Sequence, residues 1–216
     1  MKDQLFIQAI VDKGKDAREK VKTEFSNISF YQLNWKPSPE SWSIAQCLHH
    51  LMIAHSAYFP VLQNISDGNY QLNWWQKISP FTSLFGRLLK DQLQEQPKIK
   101  IKAPKKIQPA TSALHLGIID QYCKSLDTFL HFISECEQVE IDKTIITSPT
   151  IRIITYNLRD AFQFLLQHEH RHINQGIRVK RDERFPLNWV LHIENWALNI
   201  LVIPTCNRYL LSTTCF

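Results

Sequence analysis

Two histidines lie one helical turn apart in a pattern that suits metal binding. They are His168 and His172, within the stretch QHEHRHINQ at residues 167–175. If this stretch is helical, both imidazoles project from the same face and can reach one metal ion. A functional zinc, nickel or iron site needs at least one more protein ligand, so another part of the chain must supply an imidazole or a carboxylate.

Hydrophobic periodicity places this motif on the last of four amphipathic helices. The predicted helices span about residues 3–26, 39–65, 111–136 and 157–180. Ser38 or Ser41 is expected to cap the second helix, and Thr111 or Ser112 the third. Asn157 is a good N-cap for the fourth helix, which carries the two histidines.

The segments between these helices are less regular. Residues 70–109 combine an apolar cover around Trp74 and Trp75 with a loop that holds five lysines at 98–106. Residues 141–155, IDKTIITSPTIRIIT, are rich in β-branched side chains. We expect them to form extended segments or a small hairpin before the fourth helix.

The second predicted helix offers three histidines as sources of the missing ligand. Its apolar stripe includes Ile44, Leu48, Leu51, Tyr58 and Leu62. At about 100° per residue, His55 falls near the centre of this stripe, His50 on its flank and His49 on the polar side. His50 and His55 are therefore the candidates to face the interior, and His49 is expected to face solvent.

The composition is that of a single globular domain. The chain has 216 residues, of which 44% are hydrophobic and 21% charged, and its 5 glycines favour long helices over a turn-rich β structure. The net charge of +5 comes partly from the lysine loop. We expect this loop to be a solvated segment, and we therefore expect no nucleic-acid partner. The 5 cysteines are an odd number with no CxxC pair, which predicts a cytoplasmic protein without a disulfide framework.

Neither end of the chain is expected to enter a membrane. The start, MKDQLFIQAIVDKGK, has too short an apolar run for a signal peptide and lacks a cleavage site. The most apolar late segment, residues 187–203, carries His192, Glu194 and three asparagines. That segment is too polar and slightly too short to span a bilayer.

Two sequence segments of the chain resemble those of a known family. They are ESWSIAQCLHHL at residues 40–51 and LRDAFQFLLQHEHRHINQ at residues 158–175. Together with the long connection between them, they resemble the DinB-like superfamily of four-helix metal-binding proteins, which includes bacterial thiol-dependent S-transferases. The resemblance implies an all-α, up-down-down-up bundle over residues 1–186, with a long connection between helices 2 and 3. Residues 187–216 lie outside it as an apolar C-terminal extension of unknown role.

The resemblance also implies a metal site and a class of reaction. Matched residue by residue, His50, His168 and His172 are expected to bind one divalent ion, zinc, nickel or iron, and to leave a position for water or substrate. The family's transferases activate a low-molecular-weight thiol as thiolate, which attacks a small electrophile. No side chain is assigned a catalytic role, and His55 or His49 stays open as the alternative third ligand.

Two other functions fit the same residues. The first is a non-catalytic, stress-associated module in which the metal is structural and the chain binds partners or dimerises; the apolar tail also suggests a homodimer. The second is a zinc protease, because HEHRH satisfies HExxH, with Glu169 as general base and Glu194 as a third ligand. The stripe centres on His168 and His172 rather than on Glu169, which argues against the protease.

Overall fold

Six α-helices and one small hairpin make up the regular structure of the described residues, which in this computed structural model are 3–78 and 105–187. The helices, in chain order, are α1 Gln4–Phe25, α2 Phe30–Asn34, α3 Ile44–Ser66, α4 Trp74–Ile78, α5 Ile118–Ser134 and α6 Leu158–Lys180. Short 3-10 turns occupy Lys105–Ile107 and Glu135–Gln138. The two strands are β1 Ile145–Thr147 and β2 Thr155–Asn157. The predicted all-α class is therefore confirmed, with the small hairpin as its only described sheet.

The start of α3 lies later than the prediction placed it. The helix begins at Ile44, and the Ser43 hydroxyl accepts a hydrogen bond from the Gln46 N–H while the Gln46 side chain accepts one from the Ser43 N–H. This reciprocal capping box satisfies two helix-end donors at once. Ser38 and Ser41 were the wrong choices, because their hydroxyls hydrogen-bond to each other at 2.9 Å.

The start of α5 was also predicted too early. The helix begins at Ile118 after Gly117, so neither Thr111 nor Ser112 caps it. The Asn34 side chain explains the delay, because its amide donates to the Leu114 carbonyl at 2.7 Å and its oxygen accepts from the Leu114 N–H at 2.8 Å. A backbone residue whose two polar groups are held by a side chain cannot join a helical ladder.

The start of α6 is where local sequence predicted it. Asn157 is the N-cap, and its side-chain oxygen accepts from the Asp160 N–H at 2.7 Å. Strand β2 ends at this same asparagine and pairs antiparallel with β1, with Ile146 opposite Tyr156. Of the two alternatives predicted for residues 141–155, extended segments or a small hairpin, the structure has the hairpin, with a second strand that continues to Asn157. The hairpin leads directly into the helix that carries the histidine motif.

The core forms where four long helices meet. Helix α3 packs against α5 and α6, and α1 packs against the same two helices. The largest fully buried side chains include Phe25 of α1, Tyr122 and Phe129 of α5, and Phe162 of α6. The arrangement brings α3 and α6, the two helices that carry the candidate ligands, into direct contact.

Internal contacts divide the chain into two units, Met1–Phe185 and Pro186–Phe216. The first unit holds every element given above. Of the second, only residues 186 and 187 are described. The predicted extension at 187–216 therefore lies outside the described residues except for Leu187, as does most of the lysine loop. Among the helices described, none has the length and apolar character needed to cross a membrane.

Candidate metal centre

Three histidines from α3 and α6 converge inside the first unit. They are His50, His168 and His172, and one ring nitrogen from each lies within 4.8 Å of the other two. Their ring centroids are 4.6 to 4.9 Å apart. His50 and His172 are buried and His168 is half-buried. The structure thus brings together the three residues that the sequence named as ligands.

Hydrogen bonds fix which nitrogen two of these rings present to the cluster. His50 Nδ1 contacts the Ile107 carbonyl, and because a carbonyl can only accept, this nitrogen carries the proton. His172 Nδ1 lies 2.9 Å from the Gln175 side-chain oxygen, which assigns its proton in the same way. Each ring therefore turns an unprotonated Nε2 towards the cluster, as metal-binding histidines do.

His168 has a buried ring nitrogen without a hydrogen-bond partner among the described residues. This nitrogen is Nδ1, whereas Nε2 of the same ring lies 3.0 Å from His50 Nε2. Nor does any carboxylate in the described ranges hydrogen-bond to the three rings. A buried polar atom without a partner is costly, so simple packing is a poor account of this cluster. Neutral imidazoles whose ring nitrogens converge fit a metal ion of the zinc, nickel or iron kind.

The electrostatics of the cluster favour neutral rings. Burial, followed by the neighbouring His50, lowers the pKa of His172 to about 3. The pKa of His168 lies well below its usual value, through burial and then through His172 and His50. Burial also lowers the pKa of His50, against the opposing effect of its bond to Ile107. At neutral pH all three lone pairs are therefore available, as metal binding requires.

Aromatic side chains pack against the histidine cluster. The half-buried Trp42 ring stacks on His172 with centroids 5.4 Å apart and an interplanar angle of 28°, and it lies 4.8 Å from the His50 ring. Phe164 stacks on His168 at 5.9 Å. These contacts limit rotation of the imidazoles and place apolar surface beside the nitrogens. Trp42 lies within ESWSIAQCLHHL, the first of the two sequence segments on which the family resemblance rests.

A model of the DinB superfamily matches residues 15–175, which is most of the chain. The chain belongs to the DinB superfamily. The matched range contains all three histidines together with Trp42. No curated protein and no solved structure matches the chain.

In this DinB-superfamily protein, α3 also holds the segment that ends the long connection. The Gln46 amide donates to the Ala110 carbonyl at 2.8 Å, and the Ala110 N–H donates to His49 Nδ1 at 3.0 Å. With the bond from His50 Nδ1 to the Ile107 carbonyl, three side chains of α3 form hydrogen bonds with this backbone segment. His49 is therefore half-buried and bonded, which corrects the prediction that it faces solvent.

His55 lies in a second buried cluster and not with the three ligand candidates. Its Nε2 donates to Glu169 Oε1 at 2.6 Å, and its Nδ1 lies 3.0 Å from the Ser125 hydroxyl. The Tyr122 hydroxyl donates to Glu169 Oε2 at 2.7 Å. His55 thus faces the interior, as predicted, but it bonds to neighbouring helices and is not placed to act as the third ligand. The sequence hinted at this cluster only through the position of His55 at the centre of the apolar stripe.

The same contacts weigh against a protease. In an HExxH enzyme the glutamate activates a water on the metal, and it needs a free carboxylate oxygen to do so. Here Glu169 is 1% exposed, and both of its oxygens accept hydrogen bonds, one from His55 and one from Tyr122. Glu194, the suggested third ligand of a protease, lies outside the described residues.

Proposed function

We propose that this DinB-superfamily protein is a divalent-metal-dependent enzyme that transfers a low-molecular-weight thiol to a small electrophile. The ligands are His50, His168 and His172, and the metal is zinc, nickel or iron. The observation that carries the proposal is the convergence of three neutral imidazoles, one with a buried nitrogen that has no partner among the described residues. Three protein ligands leave a coordination position for an exogenous group, which is the pattern of catalytic sites.

A divalent ion at this site would supply Lewis acidity, which lowers the pKa of a bound thiol or water. The protein's own contribution is to hold the ligands still and to limit water. The Ile107 carbonyl and the Gln175 side chain fix the tautomers of His50 and His172. Trp42 covers the two rings with an apolar face. In the transfer, the thiol gives its proton to water and its sulfur forms a bond to an electrophilic carbon. The bond from that carbon to the leaving group breaks, and the leaving group takes the electron pair.

The thiol must come from solution and not from the described part of the chain. Burial raises the pKa of both Cys47 and Cys136 to about 12, and it raises the pKa of Cys123 as well. All three are free and buried. A thiol with a raised pKa holds its proton at neutral pH and is a poor nucleophile. Cys47 lies one turn from His50, yet it is a packing residue in this arrangement.

The same proposal includes the topology of the helix bundle and the formation of a homodimer. The four long helices form an up-down-down-up bundle over residues 1–186, with the long connection between α3 and α5. A homodimer, suggested by the apolar composition of residues 187–216, is part of the same proposal. Contacts of α3 and of α1 with both α5 and α6 support the four-helix bundle.

Metal content per chain is the direct test. The protein should be purified without chelator or affinity tag and analysed as wild type, His50→Ala, His168→Ala and His172→Ala. His170→Ala is the matched control, since it removes a histidine of the same motif that is not in the cluster. We expect close to one metal ion per chain in wild type and control, and little in the other three variants. No metal in the wild type after reconstitution would refute the site.

The reaction needs a separate measurement. Cobalt-substituted protein should be titrated with small thiols while its visible absorption is recorded. Because a thiolate is a strong ligand, its binding at the open position should change the spectrum. A cobalt spectrum that no thiol alters would favour the non-catalytic module, in which the metal is structural and the site holds no exchangeable ligand.

A further inference from the structure

Helices α3 and α6 meet at two polar contacts rather than one. The first is the histidine cluster, and the second joins His55 of α3 to Glu169 of α6. His55 follows His50 by five residues, and Glu169 lies between the two candidate ligands of α6, directly after His168. At 1.5 Å of rise per residue, the two contacts are about 8 Å apart along α3. The helices that share the ligands thus also share a buried hydrogen bond between an imidazole and a carboxylate.

Rotation of α6 couples these two contacts. One residue of helix corresponds to about 100° of rotation, so a turn that moved Glu169 away from His55 would also swing both ligand histidines away from His50. The bond of 2.6 Å between His55 and Glu169 therefore specifies the rotation and the axial register at which the three imidazoles converge. A charge-assisted bond in a buried site is a strong restraint of this kind.

A third helix completes the restraint. Tyr122 and Ser125 of α5 bond to Glu169 and to His55, so the pair is held from α5 as well as from its own two helices. Tyr122, His55 and Glu169 are each no more than 1% exposed. Every polar atom of the imidazole and the carboxylate has a partner. The cluster therefore needs no ligand of its own, in contrast to the histidines beside it.

We propose that His55, Glu169 and Tyr122 are positioning residues that pre-organise the metal site by fixing α6 against α3 and α5. This inference rests on the proposed function, because it assumes that His50, His168 and His172 bind metal. It assigns a role to the glutamate of HEHRH other than the general base of a protease. Groups that orient ligands without touching the metal commonly change metal affinity by about 10-fold to 100-fold.

Tyr122→Phe, with Tyr58→Phe as its matched control, tests the inference. Both changes remove one buried hydroxyl, but the Tyr58 hydroxyl bonds to Tyr156 and has no contact with Glu169. Each protein should be titrated with Co²⁺ alone, at a temperature where circular dichroism shows it to be folded. We expect Tyr122→Phe to bind Co²⁺ about tenfold more weakly than wild type, with an altered visible spectrum. Tyr58→Phe should bind with wild-type affinity and spectrum, even if its melting temperature falls.

Glu169→Gln provides a second variant of nearly identical shape. It keeps an acceptor for His55 but removes the charge and presents an amide to Tyr122, so we expect a loss of Co²⁺ affinity at least as large. Wild-type affinity in both Tyr122→Phe and Glu169→Gln would overturn the positioning role and leave the proposed metal site intact. Equal losses in Tyr122→Phe and Tyr58→Phe would also overturn it, because general loosening would then explain the effect. Failure of the wild type itself to bind Co²⁺ would overturn the site and the inference together.

Discussion

Acid should destabilise the metal-free protein, and His172 accounts for a defined part of the effect. Burial lowers the pKa of His172 to about 3, whereas an imidazole in an unfolded chain titrates near about 6.5. Below about pH 6.5 the unfolded chain binds a proton that the folded chain excludes, so stability falls with pH until the folded-state pKa is reached. Each pH unit in that window costs about 1.4 kcal/mol, so the loss between about pH 7 and about pH 5 is about 2 kcal/mol.

Urea denaturation of chelator-treated protein at both pH values measures this loss. His172→Gln is the informative variant, because glutamine cannot take up the proton. We expect wild type to lose about 2 kcal/mol more than His172→Gln over the interval, out of a total stability of about 5–15 kcal/mol. His131→Gln is the control, since it makes the same substitution at a side chain that is 67% exposed and lies outside the histidine cluster. Parallel curves for wild type and His172→Gln would refute the reasoning, since they would show that His172 is not held neutral by burial.

Three further predictions concern packing and reactivity. Gly14→Ala should lower the free energy of unfolding by about 1 kcal/mol in urea titrations, because a Cβ there would lie 2.4 Å from Leu130 Cδ2 and this overpacking should outweigh the helix-propensity gain of about 1 kcal/mol; a rise in stability would mean that Leu130 moves aside freely. Asn157→Ala should cost about 1 kcal/mol in the same assay through loss of the α6 N-cap, and Asn157→Asp, which keeps a capping oxygen, should not. Cys47 should resist iodoacetamide in native protein and react in urea, as mass spectrometry can show, because burial raises its pKa to about 12; rapid native labelling would contradict its buried position.

The sequence predicted the start of a helix correctly where the deciding contacts join residues close together in the chain. Asn157 caps α6 through an oxygen that reaches a backbone N–H three residues on, so the relevant partners are adjacent in the chain. The start of α5 was missed because the deciding partner of Leu114 is Asn34, 80 residues earlier. Gly14 shows the same limit: the sequence marks it only as a weak helix former, whereas its place in the fold is a close approach between α1 and Leu130 of α5.

For the candidate site too, the sequence predicted what depends on spacing along one helix and missed what depends on partners distant in the chain. Helical spacing alone aligned His168 with His172 and limited the partner on α3 to His50 or His55, because angles around a helix follow from residue numbers. Spacing could not choose between these two, and the letters HEHRH could not say whether Glu169 faces a metal. One contact answers both questions: His55 bonds to Glu169 across 114 residues of sequence. That bond removes His55 from the ligand candidates and, together with the bond from the Tyr122 hydroxyl, leaves Glu169 without the free oxygen a protease would need. His50 is then the imidazole on α3 that faces His168 and His172.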